Sequence, residues 1–144
     1  MRGMMDKMIN RDIFHLLQQK SRYIKKRMDT GLKSHQLYAS QWSILFCLDK
    51  FGPMTQTDIR TYLNVEAPTI TRTLERLEQN GWIIRKQGID KRERVITLTK
   101  EAKASISTII NDVGAMEDEL LRHFSDTEKK QLYNLLHKIE PMEE

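Results

Sequence analysis

The chain has 144 residues, enough for one domain around one sizeable core, and with 39% hydrophobic and 31% charged residues it can fold while staying highly charged. Its formal net charge of +4 is unevenly spread: residues 1–100 hold 19 Lys/Arg against 10 Asp/Glu, and residues 101–144 hold 5 against 10, which points to an anionic partner met by one part of the molecule. The lone Cys47 excludes an internal disulfide and suits a reducing compartment; no stretch has the apolar length of a membrane span or signal-peptide core, so a cytoplasmic protein is expected.

Methionines at 1, 4, 5 and 8 leave several candidate start positions. From Ile9, apolar residues recur at Ile13, Leu16, Leu17, Ile24 and Met28 with helical spacing, and Gly31 is expected to end the segment. A second helix is predicted through Leu37, Gln41, Trp42, Leu45 and Leu48, stopped by "FGP" at 51–53. Thr55 is placed to cap a short third helix with Ile59 and Leu63 inward. The fourth opens at Pro68, whose missing N–H has no intrahelical partner in a first turn, buries Ile70, Leu74 and Leu77, and stops at Asn80-Gly81.

"WIIRKQG" and "RVITLT" then read as two short antiparallel strands turning at Gly88. Thr99 is placed to cap a long helix through Ala102, Ile106, Ile109, Ile110, Val113, Met116, Leu120 and Phe124. "SDTE" at 125–128 is a capping box before a last helix carrying Leu132, Leu135, Leu136 and Ile139. The expected fold class is mainly α with a small β-hairpin (α+β), in which the pair of short helices and the hairpin make a winged helix-turn-helix. That motif lays its second helix in the DNA major groove. Around it, helices over about 8–34 and 100–144 would form a dimerisation region, leaving about 35–99 as the DNA-binding part.

Charge placement supports that reading. Residues 85–94 hold Arg85, Lys86, Lys91, Arg92 and Arg94 against only Asp90 and Glu93, and cations on a protruding tip suit the narrow, strongly negative minor groove. On the preceding helix Pro68, Thr69, Thr71, Arg72 and Arg76 lie off the apolar stripe; hydroxyls near a helix start can meet phosphates or base edges, and arginine can pair with guanine. The apolar stripes of the outer helices (Ile9, Ile13, Leu16, Leu17, Leu120, Phe124, Leu132, Leu135, Leu136 and Ile139) exceed what one winged domain can cover and are the expected dimerisation surface.

The segment "LNVEAPTITRTLERLEQNGWIIRKQGIDKRERVITLT" resembles the multiple-antibiotic-resistance-regulator (MarR) family of bacterial transcription factors. The likeness is carried by Leu77-Glu78 with Gly81, by Asp90-Lys91-Arg92 at the tip, by Leu98-Thr99, and by "LYASQW" at 37–42. It implies a homodimeric DNA-binding regulator, a repressor acting on a palindromic operator in double-stranded DNA. It also implies a cleft between the dimer region and each winged domain, where a small amphipathic or phenolic effector weakens DNA binding. By the same match Arg92 would enter the minor groove and Asp90 would organise the tip. Three positions depart from the family pattern: Glu66 stands for a serine-type cap, Arg60 for a small residue between the paired helices, and Ala102 for a glycine.

Two other readings stay open: a redox-responsive regulator acting through Cys47, and a winged-helix protein-interaction module without DNA binding. Cys47 lies in "SILFCLDKF", where packing explains it best. The basic stretch 21–33 reads as a solvated helix end. His15, His35, His123 and His137 form no close ligand pair, and there is no phosphate loop, zinc-protease motif or paired cysteine. No catalytic residue, metal or cofactor is therefore expected, and the protein is not read as an enzyme.

Overall fold

The computed structural model describes residues 2–89 and 93–142. Six α-helices and three short strands follow in the order α1 (Arg2–Leu32), a 3-10 turn (Lys33–His35), α2 (Ala39–Phe51), β1 (Met54–Thr55), α3 (Gln56–Leu63), α4 (Ala67–Gln79), β2 (Ile83–Gln87), β3 (Arg94–Leu98), α5 (Lys100–Leu120) and α6 (Asp126–His137). β3 is the central strand of an antiparallel sheet ordered β1-β3-β2. The core gathers Trp42, Ile44, Leu45 and Leu48 from α2, Ile59 from α3, and Ile70, Leu74 and Leu77 from α4, closed by Ile83, Ile96 and Leu98 of the sheet and Ile106, Ile109 and Val113 of α5.

Several boundaries follow from local chemistry. Thr55 Oγ1 accepts from the Asp58 N–H (3.1 Å) at the start of α3, and Thr99 Oγ1 does the same for Ala102 (3.1 Å) at α5. At α6 the Ser125 and Glu128 side chains satisfy each other's backbone amides at 3.1 and 2.9 Å. Gly52 (φ 80°) and Gly81 (φ 81°) take the positive dihedrals that close α2 and α4.

The start of α2 is capped from another helix. Tyr38 precedes it, and the Asp29 carboxylate of α1 accepts the Ala39 N–H at 2.7 Å, while Gln41 turns its amide oxygen back to the Tyr38 N–H at 2.9 Å. A carboxylate at a helix N-terminus also suits the helix dipole. α1 and α5 are joined by an Arg27–Glu119 ion pair (3.5 Å), and His35 of the following turn reaches Asp112 of α5 (2.6 Å).

Four expectations need correcting. Gly31 does not end α1; it lies inside the helix, where a Cβ would come within 2.8 Å of Met116 Cε, so it permits close approach of α1 to α5. The sheet has a third strand, β1, whose two residues pair with Ile96 and Val95 of β3. α5 stops at Leu120, placing Phe124 in the link to α6, because the Ser125 capping box begins a new helix at once. α6 stops at His137, so Ile139 follows the helix rather than riding on it.

Candidate nucleic-acid interface

α4 is two-faced. Ile70, Leu74 and Leu77 are at most 1% exposed and anchor it in the core. Thr69, Arg72 and Arg76, spaced three and four residues apart, make one exposed stripe on the opposite side. Pro68 is exposed in the first turn, and Glu66 precedes α4 without offering a side-chain cap. The free N–H groups there are available to an anion.

Thr71 is engaged inside the protein. Its hydroxyl donates to the Ala67 carbonyl (2.9 Å) and accepts from the Gln56 amide of α3 (2.8 Å). That bridge ties α3 to α4, and Arg60 stays at the surface, so the departure at Arg60 does not keep the two helices apart. A shallow groove of about 220 Å³ runs beside the exposed stripe, lined by Tyr38, Ser40 and Gln41 of the α2 entry and Thr69, Arg72, Thr73 and Arg76 of α4. Tyr38 and Ser40 were not evident as neighbours of α4, because nothing in their own sequence spacing reports a tertiary approach.

In the wing, strand alternation sorts the cations. Ile83 and Arg85 share the inward face of β2, and Arg85 sits with its side chain only 13% exposed, 3.7 Å from Glu78 of α4. Its Nε and Nη2 atoms are buried without a hydrogen-bond partner among the described residues. Arg85 therefore faces α4 and not the wing surface. Lys86, on the outer face, and Arg94, at the start of β3, are exposed. Gln87 pairs with Arg94, and the Gly88 N–H donates to the Glu93 carbonyl (2.9 Å), so the hairpin is zipped up to its tip. Asp90, Lys91 and Arg92 lie outside the described residues.

Cys47 is 1% exposed. Burial pushes its thiol up from the ordinary value, with nearby Lys50 only partly opposing it. A reactive thiolate needs the reverse, an exposed thiol with a lowered pKa.

A family model described as the MarR family matches residues 37–93, the span from the entry of α2 to the wing. Over 127 residues the chain is 48% identical to YwoH, an uncharacterized HTH-type transcriptional regulator of Bacillus subtilis (strain 168), covering 88% of this chain and 93% of that protein. The chain belongs to the MarR family. Its fold matches that of a cysteine-to-serine mutant of MarR from E. coli complexed with operator DNA, with a TM-score of 0.82 at 24% identity over 90% of this chain and 94% of that one. It also matches overoxidized AbfR bound to DNA, with a TM-score of 0.76 at 26% identity over 96% of each chain. As a MarR-family protein it is a DNA-binding transcriptional regulator of the winged helix-turn-helix type, and α3 and α4 are the paired helices of that motif.

Proposed function

We propose that the protein is a homodimeric, cytoplasmic repressor that occupies a palindromic operator and is released from it by a small-molecule effector, with no catalytic step. The observation that carries this reading is the exposed Thr69–Arg72–Arg76 stripe on a helix whose other side is locked into the core. A helix fixed in that way presents the same three side chains to every duplex, as sequence reading requires. Lys86 and Arg94 would supply phosphate contacts beside it, and by the family match Arg92 would enter the adjacent minor groove with Asp90 as its organiser, Lys91 adding to the positive charge of the tip. Support for the dimer comes from α1 and α6, where Ile9, Ile13, Leu16, Leu135 and Leu136 expose between 44% and 58% of their surface. Phe124, Leu132 and Ile139 add exposed apolar surface, and Leu17 and Leu120 are half-buried.

Two-fold symmetry would set the recognition helices ~34–36 Å apart and half-site centres about 10 base pairs apart. The operator is first located by footprinting genomic fragments with purified protein. Inserting about half a helical turn of duplex at its centre rotates one half-site to the far side and should abolish specific binding; unchanged affinity would refute the symmetric dimer.

Readers and positioners separate by mutation. Arg72→Ala should lower the preference for operator over random DNA by about 1–3 kcal/mol, the scale of a bidentate base contact. Lys86→Ala should weaken both DNAs alike and flatten the salt dependence by about one unit. Fluorescence anisotropy on the two duplexes at several salt concentrations checks both, and equal weakening of both DNAs by Arg72→Ala would remove Arg72 from the readers.

A further inference from the structure

Between α2 and α5 lies a cleft that the DNA-binding face does not use. Its walls are Trp42 and Phe46 of α2 and Ile110, Val113 and Glu117 of α5, around a cavity of about 110 Å³. Trp42 is 5% exposed, and its ring stands 6.1 Å from that of Phe46 at an interplanar angle of 46°, so the aromatic corner they form is accessible mainly on the Phe46 side. Phe46 and Ile110 leave 42% and 39% of their surface exposed.

Among the described residues Glu117 is the one charged group in that lining. Two other acids of α5 are paired: Asp112 with His35 and Glu119 with Arg27. Among the described residues no ion pair contains Glu117 or its neighbour Asp118. Glu117 is exposed at the mouth of the cleft; partial desolvation there raises its pKa, and Asp118 adds to the rise. Both effects mark a carboxylate that gains from an incoming cation.

We infer that this cleft takes an organic cation with an aromatic or apolar body, its ammonium head lying between the Trp42–Phe46 corner and the Glu117 carboxylate. Aromatic faces and a carboxylate are the groups that recognise an ammonium whose charge is spread over methyl groups. An anionic arene of the same size would meet Glu117 uncompensated, and a neutral phenol would leave the carboxylate without a counter-charge. The inference rests on the effector-released reading above and narrows its ligand. α2 belongs to the winged domain and α5 runs into the dimerisation region, so an occupant of the cleft touches both.

The test uses the full-length protein and three probes of similar size: benzyltrimethylammonium, neutral 2-phenylethanol and anionic phenylacetate. Binding is followed by tryptophan fluorescence and by calorimetry, with melting curves confirming that each variant folds. The cation should bind about tenfold more tightly than 2-phenylethanol, and phenylacetate most weakly. Glu117→Gln should remove that advantage while leaving 2-phenylethanol and DNA affinity unchanged, and Phe46→Leu should weaken the cation more than the alcohol. A cation bound no better than 2-phenylethanol, or insensitive to Glu117→Gln, overturns the inference, as does a cleft closed to all three probes by a second copy of the chain. Adding the cation to the protein–operator complex tests the parent reading separately. Glu117-dependent binding without DNA release would sink effector release by this ligand and keep the ligand class; intact operator binding with no cation binding would overturn the ligand class and leave DNA recognition standing.

Discussion

Deleting residues 125–144 is expected to lower operator affinity about 10²–10⁴-fold while leaving the helix-turn-helix folded. α6 buries none of its own residues in the single chain, and Leu132, Tyr133, Leu135 and Leu136 are all exposed. A helix with that much uncovered apolar surface is held by a partner or not at all. If the partner is a second copy, losing α6 separates two DNA-binding domains that otherwise act as one bivalent ligand, and the loss is that of the effective concentration. Because the exposed stripe of α1 could then drive aggregation, the charge-introducing variant Leu135→Asp provides a milder disruption. Sedimentation and anisotropy on the same samples check the outcome. A monomer retaining full operator affinity would refute the dimer.

The second large effect concerns stability. Leu74→Ala should destabilise the protein by about 2–5 kcal/mol, the range for emptying a leucine-sized space in a close-packed core. Leu74 is 0% exposed and sits between Ile70 and Leu77 on the buried face of α4, directly behind the exposed stripe. Set against a total of about 5–15 kcal/mol for a domain, that is a large share. Urea unfolding at fixed protein concentration measures it, since a dimer's midpoint shifts with concentration. DNA binding should fall in step with the unfolded fraction, in contrast to Arg72→Ala, which should leave the midpoint in place. A change below about 1 kcal/mol would mean that α4 is far less firmly seated than its burial indicates.

The parts of the molecule that were legible in the sequence are those written in local chemistry. α4 announces itself through Pro68, the Ile70–Leu74–Leu77 stripe and Asn80-Gly81, and all three signals hold. The Thr55, Thr99 and Ser125 caps are equally local. What escaped depends on distant partners. β1 is two residues long and is a strand only because β3 lies beside it. Gly31 looks like a stop until Met116 is seen 2.8 Å from where its Cβ would stand. The α2 cap belongs to Asp29, ten residues upstream and on another helix. Arg85 is a different case, because its orientation was readable: strand alternation puts it on the face of Ile83, but a count of charges along the wing ignores parity.

Because β3 is the middle strand, the DNA-binding lobe is completed late. Met54 finds its partner Ile96 far along the chain, after α3, α4 and β2 have been made. During synthesis, a nascent chain that has emerged only as far as Gln79 already contains the whole of α4, yet it lacks Ile83, Ile96 and Leu98 of the core it packs into. Contacts so distant in sequence offset their loop-closure entropy only once the central strand arrives. A chain broken off by premature termination within the hairpin would thus release no half-active regulator to compete for the operator: recognition helix, wing and sheet become competent together or not at all.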